Sequence, residues 1–187
     1  MKIYTKGGDR GRTGLAGGVT VYKDHPRIEL NGNIDELNSG IGYLRALLAN
    51  DHPWQDGLQK IQSDLMTMMG HIAITPDSDR KPNVKLPEDG ASFCEKWIDE
   101  MEASLKEPSK WFILPGGNQV SAWLHMVRTQ ARRAERRMIT LHQLEPLPIY
   151  ILEYVNRLSD LFFSMTRFEM ENAGIEEEKF MPFVNKG

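Results

Sequence analysis

Between residues 120 and 141 an apolar side chain recurs at every third or fourth place without a break: Val120, Leu124, Val127, Ala131, Ala134, Met138 and Leu141. That spacing holds the seven on one stripe of an α-helix and leaves a charged face opposite. Such a stripe is stable only when a second helix covers it. After Pro146 and Pro148 the chain supplies one: Ile151, Tyr154, Leu158, Leu161, Met165 and Phe168 follow the same rhythm. Mixed steps of three and four favour near-parallel axes and a left-handed bundle. Three earlier segments share the pattern. One starts near Asn33, with Asn33 as its expected N-cap and Ile34, Leu37, Ile41, Leu44 and Leu48 on its stripe. The next follows Pro53 and ends before Pro76. The third follows Pro87 and stops at Pro108. The expected fold is therefore all-α, a five-helix up-and-down bundle in one domain spanning residues 1–187. It divides into an irregular glycine-rich segment 1–32, the bundle 33–173 and a tail 174–187. Residues 75–86 are polar, carry two prolines and are expected to form a mobile loop. Residues 111–114 form an extended run entering the Pro115-Gly116-Gly117 turn.

Composition narrows the chemistry. The lone cysteine, Cys94, excludes an internal disulfide and a cysteine-built zinc site, and it fits a reducing, cytoplasmic setting. No stretch approaches the length of a membrane span, and the first residues have no apolar signal core. The formal net charge of −3 argues against a nucleic-acid partner. It is unevenly spread, however. Residues 1–29 hold six basic against three acidic groups, and residues 120–140 hold five arginines against Glu135 alone. Two basic segments on an acidic body point to a compact anionic ligand.

Three patterns are candidates to carry that ligand. The run Thr5-Lys6-Gly7-Gly8-Asp9-Arg10-Gly11-Arg12-Thr13-Gly14 has the makings of a phosphate cradle: converging backbone N–H groups, hydroxyls and a lysine. It is not a Walker loop, because its lysine precedes the glycines. A flexible, charged N-terminus is the alternative. On the fourth helix, Arg128, Arg132 and Glu135 form a stripe beside the apolar seam, with Arg133, Arg136 and Arg137 further out. One acid cannot pair five arginines, so their partners must lie on another helix, another subunit or a ligand. The alternative is a solvated basic face. On the fifth helix, Asn156, Asp160, Phe163 and Arg167 make a matching stripe, in which Asp160 could pair an arginine and Asn156 could bond a ligand. A polar layer fixing helix register would have the same pattern. Asp35 is a further acid available to the arginines. The histidines show no ligand pairing at i, i+4, and neither a di-iron Glu-x-x-His motif nor a Gly-x-Ser-x-Gly elbow occurs.

Taken in order, four segments resemble the PduO-type corrinoid adenosyltransferases. They are Tyr4–Thr13, Arg27–Ser39, Phe112–Gly117 with Leu124–Arg136, and Tyr154–Phe163. The resemblance implies transfer of the 5′-deoxyadenosyl group of ATP to the cobalt of cob(I)alamin, with release of triphosphate. It implies a homotrimer with sites between subunits. Thr5, Lys6, Gly8, Asp9, Gly11, Thr13 and Lys23 would then bind phosphate. Arg128, Arg132, Arg133, Glu135, Arg136 and Asn156 would line the nucleotide site, with Asp160 beside them. By the same likeness Asp35 pairs Arg128 across the interface, and Phe112 packs beneath the corrin and displaces its lower axial ligand. The implied catalytic set is Arg128, Arg132, Glu135, Asp35 and Phe112. Magnesium is expected through the ATP phosphates, and a flavin-type reductase is the implied partner. Gly7 stands where many members have threonine and Gly14 where serine is frequent. A non-catalytic sensor of ATP or corrinoid on the same bundle is the alternative, and a DNA-binding bundle is disfavoured by the acidic body.

Overall fold

The computed structural model describes residue 4, residues 6–108 and residues 112–180. Two short antiparallel strands, β1 (Arg12–Gly14) and β2 (Thr20–Tyr22), precede five helices: α1 (Pro26–Leu47), α2 (Gln55–Ile72), α3 (Gly90–Glu102), α4 (Gln119–Leu144) and α5 (Ile149–Asn172). The all-α expectation holds. α1 packs on α2 and α4, and α5 packs on α4 and α3. Both predicted seams face the core. Leu124, Val127, Ala131, Ala134, Met138 and Leu141 of α4 are buried, as are Ile151, Tyr154, Leu158, Leu161 and Met165 of α5. α5 also buries Val155, Ser159, Phe162 and Thr166, because it lies between two neighbours rather than against one.

The first helix starts seven residues earlier than expected, at Pro26 rather than Asn33. His25 caps it, its Nδ1 accepting from the N–H of Arg27 at 3.2 Å. Pro26 then takes the first turn, where a missing N–H is no loss. Asn33 is an interior residue whose side-chain amide donates to the carbonyl of Glu29 at 2.7 Å. Gly32 is simply a helical glycine. The N-terminal segment therefore ends near Asp24, and the bundle gains two turns.

Arg27 fastens this new beginning. Its guanidinium donates to the carbonyls of Ile72 (2.6 Å) and Ile74 (2.7 Å) at the end of α2, and to the carboxylate of Glu145 after α4. The α2 carbonyls would otherwise lack partners. α4 begins at Asn118, whose Oδ1 accepts from the N–H of Ser121 at 2.8 Å, while its amide donates to Glu169 of α5. Close packing between α2 and α3 depends on Gly57. A Cβ there would come 2.6 Å from two ring atoms of Trp97. Gly57→Ala is expected to cost about 1–3 kcal/mol, seen as a lower denaturation midpoint with an unchanged slope.

Candidate functional site

The predicted phosphate loop is a small hairpin with a turn ahead of it. β1 pairs with β2 in the register Arg12–Tyr22, Thr13–Val21, Gly14–Thr20. The N–H of Lys23 donates to the carbonyl of Gly11 at 2.9 Å, closing the hairpin onto the turn. Gly11 has φ +73°, a conformation open to glycine, and Lys6 also adopts positive φ, at 58°. The ammonium of Lys23 lies over Gly8, where an added Cβ would stand 3.2 Å from Nζ. Lys6, Gly8, Asp9, Gly11, Thr13 and Lys23 are thus brought into one neighbourhood; Thr5 lies outside the described residues. The guanidinium of Arg12 rests on the ring of Tyr22, 4.8 Å from its centre. The hairpin is moored to the bundle by Ala16, whose N–H donates to the carbonyl of Ala73 at 2.8 Å.

On α4 the structure sorts the arginines into two groups. Arg133 pairs with Glu36 and Arg137 with Glu29 (3.2 Å), both acids of α1. Arg136 donates to the carbonyl of Arg132 at 3.0 Å. Arg128 and Arg132 have no ion pair among the described residues, and the Nε of Arg128 is buried without a hydrogen-bond partner. Burial, and secondarily the charge of Arg132, pull the pKa of Arg128 below its ordinary value. Two adjacent guanidinium groups with no ion pair among the described residues form a socket for an anion.

The other wall comes from α5. The amide of Asn156 donates to Glu135 at 2.8 Å, and Arg157 donates to Asn156 Oδ1 at 2.7 Å. Asp160 lies further along the same face. Burial raises its pKa, as does Glu135, while Arg157 and Arg132 oppose the rise. Arg128, Arg132, Glu135, Asn156 and Asp160 therefore line one groove between α4 and α5, as the matching stripes predict. Glu135 holds Asn156 rather than an arginine, and Arg157, absent from the predicted set, orients Asn156 from behind.

Two predicted residues and the hairpin stand apart from this groove. Asp35 is exposed on α1 with no ion pair among the described residues. Phe112 is 85% exposed, on a segment before α4. The hairpin makes no hydrogen bond or ion pair with Arg128 or Arg132 among the described residues. The two basic segments do not converge within one chain. Arg27, counted with the basic N-terminus, is buried and committed to the fold.

Two further expectations have outcomes. Loop 75–86 folds back on α2, with His71 Nε2 2.6 Å from the carbonyl of Val84. It covers a cavity of about 500 Å³ lined by Met66, Gly70, Ile74, Arg80 and Val84, which shares no residue with the α4–α5 groove. The cavity's own cations, Arg80 and Lys81, are exposed, whereas the groove holds the buried, unpartnered Nε of Arg128, the better guide to an anion site. The tail packs on the body as far as residue 180: Leu114 donates to Glu178 at 2.8 Å and Phe180 to Phe112 at 2.7 Å. Its continuation lies outside the described residues. Cys94 is buried, and burial pushes its thiol up to about 12, so it is not a nucleophile. Among the described residues no cluster of His, Cys, Asp and Glu could hold a metal, and no helix is long and apolar enough to cross a membrane.

Residues 3–169 match the family model for cobalamin adenosyltransferase. The chain is similar to a corrinoid adenosyltransferase of Bacillus subtilis, 44% identical over 96% of this chain and 92% of that one. It is also similar to corrinoid adenosyltransferase MMAB of Homo sapiens, 35% identical over 96% of this chain and 73% of that one. Among solved structures it resembles a variant PduO-type ATP:corrinoid adenosyltransferase of Lactobacillus reuteri, complexed with cobalamin and ATP. That likeness has a TM-score of 0.87 at 33% identity and covers 96% of this chain and 99% of that chain.

Proposed function

The chain belongs to the cobalamin adenosyltransferase family and moves the adenosyl group of ATP onto the cobalt of a corrinoid; from that premise we propose how its residues do so. The observation that carries the proposal is the pair Arg128–Arg132, without an ion pair among the described residues, in a groove closed by Glu135 and Asn156. ATP lies in this groove with its triphosphate toward the arginines. Cobalt(I) attacks the ribose 5′-carbon in line. The Co–C bond forms as the C5′–O bond breaks, and the electron pair leaves on the triphosphate oxygen. Carbon is attacked by a metal-centred lone pair, so no general base is required. The chain's task is to place the 5′-carbon and to stabilise the growing charge on the leaving group. Arg128, Arg132 and Arg136 supply guanidinium donors, and Glu135 with Asn156 fixes the nucleoside end. Arg133 joins them by exchanging Glu36 for phosphate.

The remaining phosphate contacts come from the hairpin of a second copy. Lys6, Gly8, Asp9, Gly11, Thr13 and Lys23 make no hydrogen bond or ion pair with the α4 arginines of their own chain among the described residues, which favours a homotrimer with each site between subunits. Asp35 of one copy then pairs Arg128 of the next. The outer face of α1 and α4, with Tyr43 and Met126 each 52% exposed, is apolar enough for such a contact. Magnesium fits as a companion of the triphosphate rather than of a protein cage: a hard cation that keeps water and phosphate oxygens needs no carboxylate cluster, and none is present among the described residues. Phe112 occupies the space of the corrin's lower axial ligand, which eases reduction to cobalt(I). The electron comes from a separate, flavin-type reductase, and the reaction proceeds in the cytoplasm.

The test is to supply ATP, Mg²⁺ and chemically reduced cobalamin, and to follow the cobalt–carbon product by its visible spectrum and the phosphates by chromatography. Adenosylcobalamin and triphosphate in equal amounts are expected. Release of ADP or diphosphate instead would overturn the mechanism, and binding without turnover would make the protein a sensor.

A further inference from the structure

His125 lies one turn before Arg128 on the α4 stripe, and both of its ring nitrogens are buried without a hydrogen-bond partner. The residue is only 4% exposed. Buried polar atoms are rarely left this way in a native protein. The Nε of Arg128, three residues on, is orphaned in the same manner. Side chains at i and i+3 on a helix are neighbours, and the chemistry of the two is complementary. A guanidinium only donates, whereas a neutral imidazole has one acceptor nitrogen.

Resting on the reading above, we propose that His125 is a positioning residue for Arg128: its neutral ring accepts a hydrogen bond from Arg128 Nε when the nucleotide is bound. With Nε held, both terminal nitrogens of Arg128 are turned outward as a fork for a carboxylate or a phosphate. The environment keeps the ring neutral. Burial first, and the charge of Arg128 second, lower the pKa of His125 below the ordinary 6.5. Among the described residues of the same chain no acid raises it. On α1, Glu29 and Glu36 are held by Arg137 and Arg133, and Asp35 is exposed. On α5, Asp160 is paired with Arg157, and Arg167 with Glu102 and Glu177. A proton on His125 would put a third cation beside Arg128 and Arg132 and remove the acceptor. The sign follows: the lowered pKa leaves the ring uncharged at neutral pH, and kcat falls as the pH drops through that value.

The experiment compares the wild-type protein, His125→Leu and His125→Gln in the adenosylation assay across pH, with kcat and the KM for ATP resolved separately. Leucine removes the acceptor, while glutamine keeps one that does not titrate. We expect kcat of His125→Leu to fall about ten- to a hundredfold, the worth of one hydrogen bond to a charged group. Its KM for ATP should change by less than about threefold, because an orienting contact acts on the chemical step. His125→Gln should recover kcat to within about threefold of wild type and lose the acid limb of the profile. Equal losses in both variants, or an acid limb kept by His125→Gln, would overturn the proposal. If leucine prevents folding, the glutamine profile alone decides. Wild-type turnover is the control: its absence would sink the functional reading itself, whereas its presence with a fully active His125→Leu sinks only this one.

Discussion

Arg132→Ala is expected to lower kcat about a hundred- to a thousandfold, the usual loss when one preorganised donor to developing charge is removed. The triphosphate gains negative charge as the C5′–O bond breaks, so a contact that strengthens during the reaction appears in kcat rather than in KM. Arg132 is exposed and has no ion pair among the described residues, so the fold does not use its charge. The variant should keep its melting temperature, which separates a catalytic loss from a structural one. Arg132→Lys restores the charge without the planar fork, and its kcat should fall between the two. An alanine variant with wild-type kcat would remove Arg132 from the leaving-group site.

The largest stability effect is expected at Arg27, from the same residue type in the opposite role. Its side chain is 5% exposed and joins three places in the fold: the start of α1, the end of α2 and the turn after α4. Arg27→Met keeps the apolar stem but leaves two carbonyls and the Glu145 carboxylate without their donor. Removing one member of a buried, hydrogen-bonded pair costs about 3 kcal/mol, at the low end because Glu145 can regain water. For a chain of this size that is about 6–12 °C in melting temperature, measurable by circular dichroism. Glu145→Gln should cost less, since an amide oxygen still accepts from the guanidinium. An unchanged melt for Arg27→Met would mean that the three elements are held by their apolar contacts alone.

Arg132 and Arg27 also mark how far the sequence could be read. The seams of α4 and α5 gave their helices away because the apolar period runs unbroken for about six and about five turns, and a period needs no tertiary knowledge. The stripe Arg128–Arg132–Glu135, one position after its seam, and its partner Asn156–Asp160, two positions after the α5 seam, followed from the same geometry. The start of α1 was misplaced because Asn31-Gly32-Asn33 has the composition of a turn, and Asn33 the look of a cap. The better signal was Pro26 behind His25. Charge counting treated all basic residues alike. Arg27 finds Glu145 across 118 positions, and Arg133 and Arg137 find their acids on α1, pairings that no local pattern encodes. His125 carries no metal-ligand signal, since no other histidine stands four residues from it. The telling relation was to an arginine three residues on.

The strand pair at the far end of α4 bears on how an exposed ring can be aimed. Phe112 and Phe180 belong to a two-stranded tab in which Ile113 pairs antiparallel with Lys179. That second strand is held two residues upstream, where Glu177 accepts from Arg167 at 2.8 Å, and Arg167 is itself clamped by Glu102 and the carbonyl of Glu107. The ring is a cantilever, free at its tip and rooted in α5 through a partner some 65 residues away. Its stiffness is borrowed. Arg167 makes no hydrogen bond or ion pair with Arg128, Arg132, Glu135 or Asn156 among the described residues, so the exposed ring and the arginine groove have separate mechanical supports.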